Sequence, residues 1–140
     1  MPDRPRRLTG ARHERRREEA VMATVELTRD TFDETLEREG TVLVDFWASW
    51  CGPCRTFAPV YDRVSDKHPD VTFAKVDTEA EPELSAAFEI SSIPTLMVVR
   101  DKIVLYSEPG ALPEQALEDL IGQAQALDMD EVRRSVADRA

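Results

Sequence analysis

Residues that commonly bind metals or build disulfide scaffolds are scarce in this chain of 140 residues. It contains two cysteines, Cys51 and Cys54, and two histidines, His13 and His68. A tetrahedral zinc site needs four ligands, and no second cysteine pair completes one here. Two cysteines are also too few for a secreted disulfide scaffold. We therefore expect no metal site, and the spacing of the cysteines needs another explanation.

Long apolar runs and an excess of basic residues are missing as well. No apolar run approaches the roughly 18 residues that would span a bilayer, so we expect no membrane partner. Asp and Glu number 28 against 18 Lys and Arg, which gives a net charge of −10. Phosphate binding needs basic patches, so we expect no nucleic-acid partner. A composition that is 41% hydrophobic allows one ordinary domain with a core.

Arginines are concentrated in residues 1–21, which differ in composition from the rest of the chain. This segment holds seven arginines against four acidic residues. It lacks the apolar region of a secretory signal and the serines of a transit peptide. We expect a disordered N-terminal extension, or one that results from a misplaced start codon, because Met22 stands just before the first strand pattern. A regulatory tail or one that binds an anionic surface is the alternative.

Strand and helix patterns alternate from Met22 onward and imply a mixed sheet with helices on both faces. The turn between the last two strands, near Asp101 and Lys102, lacks the Asn-Gly or Asp-Gly of a two-residue type I′ turn. We therefore expect a longer or different turn there. We assign residues 22–127 to one α/β domain. Residues 128–140 are expected to be a short charged extension that frays from the last helix, with a partner-binding element as the alternative.

Cys51 and Cys54 stand where a strand pattern gives way to a helix pattern. Unpaired backbone N–H groups and the helix dipole favour a thiolate at such a helix start. A second thiol one turn later can attack the adduct that the first one forms. A purely structural disulfide would close too small a loop to constrain the unfolded chain much. The spacing therefore favours a thiol–disulfide oxidoreductase with a redox-active disulfide.

Asp45 is an acidic residue inside an otherwise apolar strand pattern. Burial would raise its pKa towards neutrality, as a general base for the Cys54 thiol requires. The alternative is an edge position with the carboxylate in water. Lys75, on the next strand pattern, is a candidate counter-charge for Asp45. A solvated lysine at the end of a strand is the alternative for Lys75.

The chain resembles the thioredoxin family over roughly residues 25–127. The resemblance includes the family's characteristic Cys-Gly-Pro-Cys segment, and it implies a central mixed sheet of about five strands flanked by four helices. The landmarks that carry it, in the family's order and spacing, are Val42 to Ala48, Trp50 to Cys54, Ala58-Pro59, Ala74 to Asp77, Ile93 to Thr95 and Gly110 to Leu112.

The resemblance also implies roles for individual residues. Cys51 would be the exposed nucleophile and Cys54 the more buried resolving cysteine. Asp45 would assist Cys54, and Lys75 would tune Asp45. Gly52 and Pro53 match the reducing branch of the superfamily, and Pro94 matches a cis-proline that faces the cysteines. The implied docking surface for an extended substrate comprises Trp50, Gly52, Pro53, Ile93, Pro94 and Gly110.

The function that follows is reduction of protein disulfides by the cysteine pair, with no bound cofactor besides its own disulfide. As the family implies, an NADPH-dependent thioredoxin reductase would regenerate the dithiol, and the protein would be a general electron donor in cell redox homeostasis. We expect a cytoplasmic monomer whose substrates are disulfide-containing proteins. The alternatives are a binding or chaperone module in which redox chemistry is incidental, and a dedicated reductant for one enzyme.

Overall fold

A computed structural model describes residues 23–139, and the expectations for residues 1–21 lie outside this range. Five strands and five helices follow one another along the described chain. The strands are β1 (Thr24–Glu26), β2 (Thr41–Trp47), β3 (Thr72–Asp77), β4 (Thr95–Arg100) and β5 (Ile103–Pro109). The helices are α1 (Arg29–Leu36), α2 (Gly52–Lys67), α3 (Pro82–Ala87), α4 (Glu114–Ala126) and α5 (Met129–Arg139).

The five strands form one mixed sheet in the order β1-β3-β2-β4-β5. Strands β1, β3 and β2 run parallel, whereas β4 and β5 are antiparallel to their neighbours. Strand β2 lies in the centre, and the first six of its seven residues are buried. A strand covered on both faces is expected to be apolar throughout, which accounts for the pattern around Asp45. The prediction of a mixed five-stranded α/β sheet is confirmed.

Two apolar clusters cover the two faces of the sheet. The first joins alternate strand residues such as Leu43 and Phe73 to residues of α2 and α4, including Tyr61 and Leu117. The second lies on the opposite face and includes Phe32 of α1. The strand residues in the second cluster are Val42, Val44, Phe46, Ala74, Val76, Met97 and Val99.

Five helices, and not the four implied by the resemblance, occur in residues 23–139. The additional helix α5 is separated from α4 by Leu127, whose backbone is extended. Asp128 starts α5, because its Oδ1 accepts hydrogen bonds from the backbone N–H groups of Asp130 and Glu131 at 3.0 and 3.3 Å. The expectation that α4 simply continues and frays is therefore wrong. No described helix has the length and apolar character to cross a membrane.

The turn between β4 and β5 also differs from the prediction. Two residues alone, Asp101 and Lys102, separate the strands, and their φ angles are 53° and 66°. Positive φ at both central positions is the geometry of a type I′ turn. The antiparallel pairing of β4 and β5 imposes this turn although neither residue is glycine or asparagine. A conformation that is uncommon for such residues is thus tolerated where the twist of the hairpin requires it.

Candidate active site

The first turn of α2 contains the disulfide between Cys51 and Cys54, whose Cα atoms are 5.2 Å apart. Cys51 is the N-cap residue of the helix, and its Sγ accepts a hydrogen bond of 3.2 Å from the Cys54 backbone N–H. Pro53 suits the first turn, where a backbone N–H has no helical partner. When the disulfide opens, the same N–H can stabilise a thiolate on Cys51. The predicted position of the pair at a helix start is confirmed.

Cys51 was expected to be exposed, and in the disulfide form this is wrong. Both cysteines are only 3% exposed. The disulfide holds the sulfur of Cys51 in a small cluster with Cys54 and Ala48, against which Ile93 packs. The Sγ of Cys51 also lies 3.7 Å from the carbonyl oxygen of Ile93. This contact would allow a reduced Cys51 thiol to donate a weak hydrogen bond to that carbonyl.

The loop before β4 faces the disulfide. The Ile93–Pro94 peptide bond is cis, as the resemblance implied. The Pro94 carbonyl oxygen accepts a hydrogen bond of 2.8 Å from the backbone N–H of Gly110, which ties two loops together. Gly110 has a φ of 112°, a value that other residues rarely adopt. The structure thus brings Ile93, Pro94 and Gly110 together at one end of the sheet, next to Cys51.

Trp50 forms the exposed side of the same region. It is 64% exposed, and its indole Nε1 donates a hydrogen bond of 2.7 Å to Oε1 of Glu79. Gly52 and Pro53 are exposed beside it. An exposed indole whose N–H is already bonded offers its apolar surface to a partner. This arrangement fits the flat docking surface that the resemblance implied.

Asp45 is buried in the middle of β2 with 1% exposure. Among the described residues, no group donates a hydrogen bond to either carboxylate oxygen. Burial raises the pKa of Asp45 to about 7, and the positive charge of Lys75 opposes this rise. Helix α2 covers this face of the sheet, because Tyr61 of α2 packs with Leu43 and Phe73 there. The buried position was predicted, and the alternative of an edge carboxylate in water is wrong.

Lys75 lies on β3 directly opposite Asp45 in the parallel register. In residues 23–139, its ammonium group makes no ion pair within 4 Å. The Nζ atom instead lies over the ring of Trp47, 4.9 Å from its centroid, which is a cation–π geometry. Lys75 therefore acts on Asp45 through its charge and without a direct bond.

Three residues that act on or pack near Asp45 were not predicted from the sequence: Glu26, Asp62 and Tyr61. Burial raises the pKa of Asp62 on α2, and Lys75 opposes this rise. The phenol of Tyr61 donates a hydrogen bond of 2.8 Å to the Ala74 carbonyl oxygen, and burial raises the pKa of that phenol. Asp62 and Tyr61 could have been found from their helical spacing of about two turns after Cys54. Glu26 gave no such signal, because it ends a strand of three residues.

Metal ligands do not gather anywhere in the part of the chain that the structure describes. No group of three or more His, Cys, Asp or Glu side chains is arranged there to hold a metal ion.

A disulfide between two cysteines three positions apart at a helix start is typical of the class of thiol–disulfide oxidoreductases. The model of the family named Thioredoxin matches residues 23–123, which is most of the chain. The chain therefore belongs to the thioredoxin family.

Individual relatives agree with this assignment. "Putative thioredoxin 2" of Streptomyces coelicolor is 59% identical over 119 residues, covering 85% of this chain and 89% of the relative. The thioredoxin of Alicyclobacillus acidocaldarius is 41% identical over 97 residues, covering 69% of this chain and 92% of the relative. A solved thioredoxin mutant from Halobacterium salinarum superposes with a TM-score of 0.70 at 29% identity, covering 75% of this chain and 93% of that chain. The chain is a protein-disulfide reductase with a redox-active disulfide.

Proposed function

We propose that the protein is a general reductant of protein disulfides in which Cys51 is the nucleophile, Cys54 the resolving cysteine and Asp45 the base. The observation that carries this proposal is the hydrogen bond from the Cys54 backbone N–H to Sγ of Cys51 at the start of α2. This bond, together with the helix dipole, stabilises a thiolate on Cys51 and not on Cys54. The two cysteines therefore have different roles.

The exchange proceeds in two steps that together move two electrons to the substrate. The Cys51 thiolate attacks one sulfur of the substrate disulfide, which forms a mixed disulfide and releases the other sulfur as a thiolate. Cys54 then loses its proton to Asp45 and attacks Sγ of Cys51. This second attack forms the Cys51–Cys54 disulfide and releases the second substrate thiolate.

Asp45 is suited to the second step because of its environment. A carboxylate with a pKa near 7 is ionised in a large fraction of molecules at neutral pH, yet it is basic enough to accept a proton from a thiol. Its oxygens have no hydrogen-bond donors among the described residues that would lower this basicity. Lys75 keeps the pKa of Asp45 from rising further.

Substrates would bind to the surface formed by Trp50, Gly52, Pro53, Ile93, Pro94 and Gly110. The backbone at Ile93 would pair with an extended segment of the substrate, which would bring its disulfide to Cys51. Such recognition depends on backbone groups and apolar surface and so suits many protein substrates. We also propose that residues 22–127 form the functional unit, with residues 1–21 and 128–140 as extensions.

The electrons would come from an NADPH-dependent thioredoxin reductase, and the protein would serve cell redox homeostasis as a cytoplasmic monomer. The support for a reducing role is the Gly52-Pro53 dipeptide, which matches the reducing branch of the superfamily. Reducing and oxidising proteins of this kind differ widely in reduction potential, which is about −270 mV for thioredoxin and about −180 mV for protein disulfide isomerase.

The test is reduction of insulin disulfides coupled to NADPH oxidation by a bacterial thioredoxin reductase. We expect rapid turnover with the wild-type chain and none with Cys51→Ser or Cys54→Ser. The Cys54→Ser variant should still form a mixed disulfide with insulin, whereas Cys51→Ser should not. Turnover that survives Cys51→Ser would contradict the assigned roles. An inactive wild-type chain whose disulfide still cycles with small thiols would favour a binding module or a dedicated reductant.

A further inference from the structure

A line of charged residues crosses three neighbouring strands on the face covered by α2. Glu26 of β1 lies opposite Lys75 of β3, and Lys75 lies opposite Asp45 of β2. Residues that oppose each other in adjacent strands project from the same face and are about 5 Å apart. One lysine therefore stands between two carboxylates.

The line runs from solvent into the interior. Glu26 is at the exposed edge of the sheet, Lys75 is half-buried and Asp45 is buried. Although Glu26 as a whole is exposed, partial burial of its carboxyl raises its pKa, and the charge of Lys75 opposes that rise. Lys75 thus interacts with both carboxylates. Ionisation of the exposed Glu26 costs less free energy than ionisation of the buried Asp45.

Within residues 23–139, Lys75 is the single cation that acts on the carboxyl groups of this line. Asp62 and Tyr61 of α2 face Asp45, and Asp77 of β3 acts on Glu26. The ammonium group of Lys75 lies over the ring of Trp47. The indole N–H of Trp47 also lowers the pKa of Glu26, although among the described residues it has no acceptor with good hydrogen-bond geometry. Negative charge therefore exceeds positive charge around Lys75.

We propose that Glu26 is a positioning residue for the redox reaction, which shares the charge of Lys75 and so leaves Asp45 without a full counter-charge. The proposal rests on the function proposed above, in which Asp45 receives the proton of Cys54. Without Glu26, Lys75 would neutralise Asp45 more fully, and the carboxylate would become a weaker base.

The chain offers a matched control on the other side of the sheet. Asp45 lies opposite Leu96 of β4, and Leu96 lies opposite the exposed Glu108 of β5. Glu26 and Glu108 are thus both two strands away from Asp45. The residue between Glu26 and Asp45 is Lys75, whereas the residue between Glu108 and Asp45 is Leu96. Comparing the effects of Glu26 and Glu108 on the pKa of Asp45 therefore distinguishes sharing of the Lys75 charge from simple repulsion through space.

The experiment is a carbon-13 NMR titration of the Asp45 carboxyl in the oxidised, full-length protein, where the cysteines do not titrate. The Asp45→Asn variant assigns the signal. We expect Glu26→Gln to lower the midpoint by roughly half a pH unit, since removing a nearby negative charge favours ionisation. Glu108→Gln should shift it by less than about a fifth of that amount, because solvent screens an exposed charge at this separation.

The mechanism is tested in a Lys75→Met background. If Glu26 acts by sharing Lys75, the two substitutions are coupled and Glu26→Gln should produce a much smaller shift there. Equal shifts from Glu26→Gln and Glu108→Gln, or a shift that persists unchanged without Lys75, would overturn the proposal. These titrations do not depend on catalysis, so they remain decisive even if the insulin assay contradicts the roles proposed for the cysteines.

Discussion

Each face of the central sheet carries an apolar cluster, but the two faces differ in what they bury. On the face towards α1 and α3, β2 contributes Val42, Val44 and Phe46 to a cluster that is apolar throughout. On the face towards α2 and α4, the same strand contributes Leu43 and then Asp45, the innermost member of the charged line. A single alternating strand therefore buries apolar side chains on one side, and a carboxylate as well as Leu43 on the other.

This division explains how the fold tolerates an unfavourable group at its centre. A buried carboxylate without hydrogen bonds destabilises a protein once it ionises. Here that cost falls on the face next to the disulfide, while the opposite face can be packed without compromise. Replacing Asp45 should therefore change the free energy of unfolding with the opposite sign to replacing a buried apolar residue of the other face.

The largest effect is expected on the apolar face, from Phe32→Ala. Phe32 is buried and its ring centroid lies 5.2 Å from that of Phe88. Loss of the ring leaves a cavity and should lower the free energy of unfolding by about 3–5 kcal/mol. Urea denaturation measures this directly. An effect below about 1 kcal/mol would mean that this cluster contributes far less than its packing indicates.

A change in the free energy of unfolding of the opposite sign is expected from Asp45→Asn, on the face covered by α2. The folded-state pKa of Asp45, about 7, lies above its ordinary value of 3.8, so the wild-type protein loses stability as pH rises between these values. Asparagine does not ionise, so the variant should match the wild type near pH 4. It should be more stable above pH 8, by up to about 4 kcal/mol.

Denaturation of both proteins across this pH range checks the prediction, and the low-pH values serve as its internal control. A stability difference that stays constant with pH, or one that favours the wild type above pH 8, would contradict the account of Asp45.

A smaller effect is expected from Lys75→Met. Removing the positive charge of Lys75 should raise the pKa of Asp45 above about 7, by roughly half to one unit. The carboxyl titration measures the shift. Lys67→Met is the matched control, because Lys67 pairs with Glu114 on the exposed surface of α2. Equal midpoints in the two variants would exclude Lys75 as the counter-charge.

The smallest effect is expected from Arg29→Ala at the rim of the apolar face. Arg29 pairs with Glu83 at 2.7 Å, but both side chains are largely exposed. Such pairs contribute between zero and about 1 kcal/mol and are screened by salt. The change in unfolding free energy should stay within that range and shrink in high salt. A larger loss would mean that surface charge, as well as packing, holds α1 to α3.

Much of the fold and the centre of the site could be predicted from the sequence. Strand β2 was readable from its near-continuous apolar run, and the start of α2 from the change to a helix pattern at the cysteines. Asp45 was recognisable because an acid is unusual within such a strand. Local sequence determines these features, so they could be predicted from it.

The features that were missed depend on tertiary arrangement. The role of Glu26 follows from the register between β1 and β3, which are far apart in the chain. The burial of Cys51 depends on the loop at Ile93, which folds over it from another part of the sheet. The type I′ turn at Asp101 and Lys102 is imposed by strand pairing against the preference of the residues themselves. None of these features can be predicted from a single stretch of sequence.

The most direct test of the central claim, that Asp45 assists Cys54, is to mix the reduced protein rapidly with an aromatic disulfide that releases coloured thionitrobenzoate. Attack by Cys51 releases the first equivalent, and attack by Cys54 on the mixed disulfide releases the second. In Asp45→Asn at pH 7, we predict that the second release slows at least about tenfold while the first changes much less, as loss of a general base requires. Two phases with unchanged rates, or with equal slowing, would contradict the account.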